Sequence, residues 1–158
     1  MEKLELYTDG ACSSNPGPGG WAFIILNKQP PHIIQYGSFK LTTNNRCEIY
    51  AVIKGLQTIK NPSNIIIYTD SQHLINCVNK GWIYRWQKAN WYRNGTERVK
   101  NIDLWKQLLE ELNRHQKVEF QWIKGHAENP INNECDRLAR VAIKEENFRI
   151  DVGYEALL

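Results

Sequence analysis

The sequence predicts an α/β protein: a mixed β-sheet with helices on its faces. Three strand-like segments joined by short turns open the chain, and short connections of this kind indicate an antiparallel meander. Strand and helix patterns then alternate, as they do in βαβ units, whose strands run parallel. The length of 158 residues and the hydrophobic content of 42% suit one domain with a full core, so we expect a single domain over residues 1–158.

The first 60 residues supply the meander and one long helix. Segment 3–9 has the alternation of a half-buried strand, and strands 20–27 and 32–41 follow it on either side of a proline-containing turn. Segment 44–60 repeats apolar residues every three or four positions, which predicts a one-sided helix with Thr43 or Asn44 as its N-cap.

The remaining residues alternate between strands and helices. Segment 65–69 is apolar enough for a strand that is buried on both faces, and segment 94–96 has the composition of a loop. The other predicted elements are helices 71–79 and 82–90, helix 103–113 with Asp103 as candidate N-cap, strand 118–124 and helix 134–146.

Composition excludes several classes of protein. The longest wholly apolar run, 21–26, is far shorter than the ~20 residues that span a bilayer, and residues 1–4 lack the pattern of a signal peptide. We therefore expect a cytoplasmic protein without a membrane partner. The four cysteines are irregularly spaced and form no C-x-x-C pair, which argues against zinc and against a disulfide framework and favours free, largely buried thiols.

Four acidic residues stand at the edges of predicted elements. Asp9 and Asp70 end strands, Glu48 lies near the start of a helix, and Asp136 near the start of another, where Glu134 competes with it. If the fold gathers them, like charges ~4 Å apart repel by about 4 kcal/mol per pair at an effective dielectric constant near 20. Such a cluster requires a cation, so the pattern predicts a divalent-metal site.

Each of these acids also has an ordinary explanation. Asp9 could be an exposed turn residue, Asp70 an N-cap, and Glu48 and Asp136 first-turn acids that compensate the helix dipole. His126 follows a predicted strand in a glycine-flanked loop, where an unperturbed pKa near ~6.5 suits proton transfer, although an isolated loop histidine is usually only exposed.

Positive charge is concentrated in one segment. Residues 80–101 carry six cationic side chains and one acid, whereas the whole chain has a net charge of only +3. Aromatic residues alternate with these cations, a pattern typical of phosphate contact and base stacking. We expect some of the tryptophans to be core residues and Arg85 and Lys88 to face outward.

Several motifs follow one another along the chain: T-D-G-A-C-S-S-N-P-G-P-G-G (8–20), T-N-N-R-C-E (43–48), Y-T-D-S-Q (68–72), the Trp-rich segment 81–93, V-K-N-I-D-L-W (99–105), W-I-K-G-H-A (122–127), N-x-x-C-D-x-L-A (132–139) and G-Y (153–154). Together these segments resemble the bacterial form of type 1 ribonuclease H over nearly the whole chain. The resemblance implies a five-stranded sheet of order 3-2-1-4-5 with helices on both faces and a basic helical protrusion. It also implies an endonuclease that cuts the RNA strand of RNA–DNA hybrids and leaves 5′-phosphate and 3′-hydroxyl ends.

The same resemblance implies roles for individual residues. The four acids would bind two Mg²⁺ ions, with Mn²⁺ as substitute, and His126 would assist proton transfer or product release. The implied nucleic-acid contacts are Asn15, Asn44, Asn45 and Gln72 for the RNA strand, Thr43 and Asn101 for a phosphate of the DNA strand, and Trp82, Arg85, Trp86 and Lys88 in the basic protrusion.

Two positions depart from the family pattern. Ser14 stands where a glycine is frequent, and Leu41 where a basic residue is frequent, which weakens the implied phosphate pocket unless Lys40 compensates. We expect a monomer that binds hybrids with little sequence preference.

Three other interpretations of the function stay open. They are a different nuclease or transposase on the same fold, a non-catalytic hybrid-binding module, and a metal-storage or structural domain.

Overall fold

The computed structural model describes residues 3–125 and 128–158. Its main sheet has five strands in the order β3-β2-β1-β4-β7. The strands are β1 (Lys3–Cys12), β2 (Gly17–Leu26), β3 (Ile33–Thr42), β4 (Asn64–Thr69), β5 (Tyr92–Asn94), β6 (Glu97–Arg98) and β7 (Lys117–Trp122), and the helices are α1 (Asn44–Thr58), α2 (Gln72–Asn79), α3 (Trp82–Lys88), α4 (Ile102–Arg114), α5 (Pro130–Glu145) and α6 (Val152–Glu155).

The sheet is mixed, as the sequence predicts. Strand β1 pairs antiparallel with β2 and parallel with β4, and β2 pairs antiparallel with β3. Strand β7 runs parallel to β4 at one edge and is the fifth strand of the sheet. The predicted α/β fold class and the strand order 3-2-1-4-5 are therefore confirmed.

Alternate residues of the central strands enter different cores, which explains why helices cover both faces. Leu6 and Phe23 belong to the larger cluster, which α1, α2 and α4 cover. Tyr7 and Ile24, each one position further along, belong to a second cluster with residues of α5. Because successive side chains of a strand point to opposite faces, two buried faces require two layers of helix.

The element boundaries differ from the predicted ones in three places that matter for function. Helix α5 begins four residues earlier than predicted, with Pro130 in its first turn and Asn129 as its N-cap. Asp103 is not the N-cap of α4, because Asn101 occupies that position and Asp103 lies in the first turn. Strands β5 and β6 form a small hairpin around the predicted loop, and α6 was not predicted.

Two further expectations concern cysteines and membranes. All four cysteines are free thiols; Cys12 is half-buried and the others are buried, as the irregular spacing predicted. Within residues 3–125 and 128–158, no helix has both the length and the apolar character needed to cross a membrane.

Candidate active site

Three of the predicted acids converge at one end of the central strands. Tyr7 of β1 is in register with Tyr68 of β4, so Asp9 and Asp70, each two residues further on, end up beside each other. Helix α1 packs against β1 and brings Glu48 to the same point. Carboxylate oxygens of Asp9, Glu48 and Asp70 lie within 4.8 Å of one another.

These carboxylates are largely removed from water. Asp9 is 2% exposed and Glu48 7%, whereas Asp70 is half-buried. The backbone N–H of Gly10 donates to Asp9 Oδ1 at 2.9 Å and to Glu48 Oε1 at 2.7 Å. The other oxygens of this pair, Asp9 Oδ2 and Glu48 Oε2, are buried without a hydrogen-bond donor in the described part of the chain. Buried carboxylate oxygens without donors need a proton or a cation.

The electrostatics of the pair lead to the same conclusion. Burial, together with the negative charges of Asp70 and Asp136, raises the pKa of Asp9 to about 7. Burial and the neighbouring Asp9 raise the pKa of Glu48 well above its usual value. Oxygen-only ligands of high negative charge suit hard divalent cations such as Mg²⁺ and Mn²⁺. The residues present therefore fit a divalent metal.

Asp136 lies next to this cluster but not within it. It sits in the second turn of α5 rather than the first, and Arg140 Nε donates to Asp136 Oδ1 at 3.3 Å. Its charge nevertheless raises the pKa of Asp9, so the two carboxylates interact electrostatically. The competing residue, Glu134, is paired with Arg137 and is not among the groups that raise the pKa of Asp9. The choice of Asp136 as the fourth acid stays a prediction, which its electrostatic effect on Asp9 supports.

The ordinary explanations for two of the acids are wrong. Ser71, not Asp70, caps α2, and its hydroxyl accepts a hydrogen bond from the N–H of Leu74. Thr43 is the N-cap of α1, and Glu48 lies beyond the first turn of that helix. Neither carboxylate is therefore used to cap its helix.

Close approach between β1 and α1 depends on Gly10. A Cβ atom at this position would lie 2.7 Å from the backbone nitrogen of Glu48 and 2.8 Å from Cys47 Cβ. The absence of a side chain lets the first turns of α1 approach the strand closely enough for Glu48 to reach Asp9.

Replacing Gly10 by Ala is expected to lower the free energy of unfolding by about 1–3 kcal/mol, because the added methyl group meets backbone rather than a movable side chain. Urea denaturation followed by circular dichroism measures this. The control is Gly95→Asn: nothing lies within 4 Å of a Cβ at Gly95, and its positive φ of 58° is one that Asn tolerates. Equal stability of Gly10→Ala and wild type would contradict the proposed close approach.

The prediction for His126 lies outside the described residues. The nearest described residue on its N-terminal side, Gly125, adjoins the acid cluster, because a Cβ at Gly125 would lie 3.0 Å from Asp70 Oδ2. The role of His126 in proton transfer stays a prediction.

The residues predicted to contact the RNA strand lie on the exposed surface. Asn15, Asn44, Asn45 and Gln72 are all exposed. Asn15 Oδ1 accepts a hydrogen bond from the backbone N–H of Asn44 at 3.2 Å, which joins the loop after β1 to the start of α1. Ser14, the departure from the family pattern, donates its hydroxyl to the carbonyl of Pro16 at 3.2 Å. The first loop is thus held by polar contacts of its own side chains.

The two residues predicted to hold a DNA phosphate share one neighbour. Thr43 Oγ1 accepts from the backbone N–H of Arg46 at 3.2 Å, and Asn101 Oδ1 accepts from Arg46 NH1 at 3.3 Å. Asn101 has a left-handed backbone with φ of 63°. Leu41, where a basic residue is frequent in the family, is half-buried.

The basic segment is anchored by apolar residues and covered with cations. Ile83, Trp91 and Val99 are buried in the larger core, and Trp82 and Trp86 pack partly against it. A shallow pocket of about 410 Å³ opens between these rings and the cationic side chains. The six cations of this segment, Lys80, Arg85, Lys88, Arg93, Arg98 and Lys100, are all exposed. The expected division into core tryptophans and outward cations is confirmed.

Two residues that the sequence did not single out are close to the site. Arg46 is 1% exposed and links α1 to α4 and to the C-terminal segment through Asp103 and Asp151. Asn132 is 2% exposed, and its Oδ1 has no hydrogen-bond donor among the described residues. Asn132 precedes Asp136 by one helical turn, and that spacing was the signal available in the sequence.

Comparison with known proteins agrees with this geometry. The sequence model of the RNase H family matches residues 1–144. The chain belongs to the ribonuclease H family. Ribonuclease H of Caldicellulosiruptor saccharolyticus is 48% identical over 145 residues, which cover 92% of this chain and 99% of that protein. Ribonuclease H of Trichodesmium erythraeum is 45% identical over 97% of this chain and 96% of that protein.

Solved structures of the ribonuclease H family share the fold. LC9-RNase H1, a type 1 RNase H with the type 2 active-site motif, is 25% identical with a TM-score of 0.79, over 99% of this chain and 82% of that one. LC11-RNase H1 in complex with an RNA/DNA hybrid is 21% identical with a TM-score of 0.68, over 90% and 98% of the two chains. Membership of the ribonuclease H family makes this protein a nuclease and implies the use of a divalent metal, for which the carboxylate cluster is present.

Proposed function

We propose that this protein is an endonuclease that hydrolyses the RNA strand of RNA–DNA hybrids and leaves 5′-phosphate and 3′-hydroxyl ends. The observation that carries this proposal is the convergence of Asp9, Glu48 and Asp70 within 4.8 Å, in a chain of the ribonuclease H family. A non-catalytic binding module would not explain the buried acids, and a metal-storage domain would not explain the exposed basic segment.

Asp9, Glu48, Asp70 and Asp136 would hold two Mg²⁺ ions, with Mn²⁺ as substitute. Bound metal in such a site lowers the pKa of a water molecule and stabilises negative charge on the reacting phosphate. The protein itself supplies the position of the four carboxylates, and Gly10 holds one oxygen of Asp9 and one of Glu48 through its N–H. The two remaining buried oxygens of this pair, which have no hydrogen-bond donor among the described residues, would be available as metal ligands.

The substrate surface would extend from this cluster in two directions. Asn15, Asn44, Asn45 and Gln72 provide exposed amides for the RNA strand, and hydrogen bonds to 2′-hydroxyl groups are how a protein distinguishes RNA from DNA. Thr43 and Asn101 would bind a phosphate of the DNA strand. The basic segment, with Trp82, Arg85, Trp86 and Lys88, would contact the same strand further along.

The double variant Arg85→Ala/Lys88→Ala is expected to weaken hybrid binding and to reduce the salt dependence of the affinity. Each phosphate contact contributes about 0.9 to the slope of log K against log salt for a duplex, so the slope should fall by about 1–2. Fluorescence anisotropy with a labelled hybrid at several salt concentrations measures both quantities.

A matched control removes the same charge elsewhere. Lys60 and Lys144 are exposed cations outside the basic segment, so Lys60→Ala/Lys144→Ala changes the net charge equally. We expect this control to keep the wild-type slope. An unchanged slope in the Arg85/Lys88 variant would show that the basic segment does not bind phosphates.

Cleavage of defined substrates tests the proposed function directly. End-labelled RNA–DNA hybrid, duplex RNA and duplex DNA are incubated with the protein in Mg²⁺, in Mn²⁺ and in a chelator. We expect cleavage of the RNA strand of the hybrid alone, and only with a divalent ion. Cleavage of duplex DNA would favour a different nuclease on the same fold. Hybrid binding without cleavage in either metal would favour a non-catalytic module.

The expected oligomeric state and cellular location stay predictions. A monomeric state is expected because the proposed active site is built from one chain, and sedimentation equilibrium would measure it. The cytoplasmic location predicted from the sequence is tested by fractionation of cells that express the protein.

A further inference from the structure

Arg46 uses every hydrogen-bond donor of its side chain. Its Nε and NH2 groups donate to the carboxylate of Asp151 at 2.8 Å and 2.9 Å, and its NH1 and NH2 groups donate to the carboxylate of Asp103 at 2.9 Å and 2.7 Å. The fifth donor goes to Asn101 Oδ1 at 3.3 Å. A guanidinium has five N–H groups, so none is left for a ligand. Arg46 is therefore not itself a phosphate-binding residue.

The hydrogen bonds that Arg46 donates determine which groups of Thr43 and Asn101 remain to bind a ligand. An arginine N–H can pair only with the oxygen of the Asn101 amide, which leaves the amide N–H₂ group pointing elsewhere. The backbone N–H of Arg46 likewise occupies the oxygen of Thr43, whose O–H remains free to donate. One lone pair of each oxygen is thus occupied, and the donors that remain to bind an anion are the N–H₂ group of Asn101 and the O–H group of Thr43.

The C-terminal segment holds this arrangement in place. Asp151 also accepts the hydroxyl of Thr42 at 2.6 Å and, through its other oxygen, the N–H of Tyr154 at 3.3 Å as the N-cap of α6. A Cβ at Gly153 would overlap Asp103 and come within 2.7 Å of Arg46 NH2. The start of α6 therefore packs directly on the ion pairs of Arg46.

We propose that Arg46 is a positioning residue for the DNA strand: held by Asp103 and Asp151, its guanidinium occupies the amide oxygen of Asn101 and orients that side chain, beside the N-cap Thr43, toward one phosphate. This inference rests on the proposed function. It makes segment 151–155 part of the hybrid-binding apparatus, although no residue of that segment contacts substrate.

The test uses Arg46→Lys, which keeps the positive charge but cannot bridge two carboxylates and an amide. Its KM for hybrid is expected to rise about tenfold, the equivalent of one hydrogen bond to a charged group, with kcat at saturating hybrid nearly unchanged. The control is Arg114→Lys, another arginine with several hydrogen bonds, to Leu56, Ile59 and Lys60, away from the predicted phosphate residues. We expect this control to keep the wild-type KM.

A set of hybrids with one neutral methylphosphonate at successive positions of the DNA strand separates positioning from general destabilisation. Besides the positions that contact the basic segment, we expect for the wild type one further position, unaffected by Arg85→Ala/Lys88→Ala, at which the neutral group raises KM about tenfold because the phosphate there has lost its charge. For Arg46→Lys that position should no longer matter. Gly153→Ala, which disturbs the same ion pairs from the C-terminal side, should show the same loss.

The outcomes distinguish this inference from the proposed function. If the wild type shows no such further position, Thr43 and Asn101 do not bind a phosphate, and both the contact and its positioning are wrong. If one position matters equally for wild type and Arg46→Lys, the phosphate contact stands and the role of Arg46 is wrong. If circular dichroism shows that Arg46→Lys is poorly folded at the assay temperature, Gly153→Ala takes its place. The same comparison with the wild type then decides whether Arg46 positions the phosphate contact.

Discussion

Replacing Asp9 or Asp70 by Asn is expected to slow hybrid cleavage at least about a thousandfold while leaving hybrid affinity close to that of the wild type. Metal coordination contributes several kcal/mol of transition-state stabilisation, and each ~1.4 kcal/mol corresponds to a factor of ten in rate. Affinity is retained because the proposed substrate contacts lie outside the acid cluster. Single-turnover cleavage and anisotropy, measured on the same preparations, provide both numbers.

The control for these variants is Glu134→Gln. Glu134 is an acid of α5, two residues before Asp136, but it is paired with Arg137 on the surface. We expect its variant to cleave within a factor of two of the wild type, whereas Asp136→Asn should be strongly impaired. Full activity in both Asp9→Asn and Asp70→Asn would refute the metal assignment, and loss of activity in Glu134→Gln with an active Asp136→Asn would exchange the two acids.

The contribution of Asp9 to the stability of the metal-free protein is expected to depend on pH in the direction opposite to ordinary acid denaturation, and opposite to that of Asp103, whose pKa is lowered by its hydrogen bonds with Arg46. The pKa of Asp9 is about 7 in the folded protein, against 3.8 for an unperturbed aspartate. The folded state therefore binds this proton more tightly than the unfolded chain does. The resulting stabilisation is complete below pH 4 and is lost as the pH rises to about 7. At ~1.4 kcal/mol per pKa unit it amounts to at most about 4 kcal/mol.

Added Mg²⁺ should restore the stability that is lost when Asp9 is deprotonated. A ligand that binds only the folded state stabilises it, so the melting temperature at pH 8 should rise with Mg²⁺ and change much less at pH 5, where the carboxyls hold protons. Calorimetry at both pH values, in chelator and in Mg²⁺, measures this. A melting temperature at pH 8 that is the same in Mg²⁺ and in chelator would contradict a metal site at Asp9.

The variant Asp9→Asn isolates the contribution of the acid cluster. Burial lowers the pKa of His73 and His115, and these histidines stabilise the folded protein as the pH rises through their ordinary range, which opposes the effect of Asp9. The difference in unfolding free energy between Asp9→Asn and wild type removes this background. We expect the metal-free variant to be more stable than wild type at pH 8 by up to about 4 kcal/mol and nearly equal to it at pH 4.

Much of the fold could be predicted because hydrophobic periodicity is a local property. The three early strands, the one-sided helix α1 and the buried strand β4 were recognised from spacing alone, with ends displaced by a few residues. The larger errors have local causes. Helix α5 starts at Asn129 and Pro130, a cap and a first-turn proline that the prediction assigned to a loop. The hairpin of β5 and β6 is too short to produce a recognisable alternation.

The three acids that the structure gathers, Asp9, Glu48 and Asp70, were also singled out in the sequence, but their environment was not. Asp70 follows the end of β4, a position that local pattern reveals, whereas Asp9 lies within β1, which continues to Cys12 instead of ending at residue 9 as predicted. Their separation, the two carboxylate oxygens without donors and the raised pKa of Asp9 follow from the parallel register of β1 and β4 and from the approach of α1 at Gly10. The role of Arg46 was missed because its partners, Asp103 and Asp151, lie more than 50 positions away.

The sequence by itself determined which residues could bind metal and nucleic acid, because carboxylates, amides and a concentration of cations are readable one residue at a time. Only the tertiary structure decided which of these side chains meet and what charge they carry, since a pKa depends on burial and on neighbours brought from distant parts of the chain. For the same reason only the structure shows that Asp136 and Glu134, two acids of one helix turn, have different surroundings: Asp136 acts electrostatically on Asp9, and Glu134 is paired with Arg137.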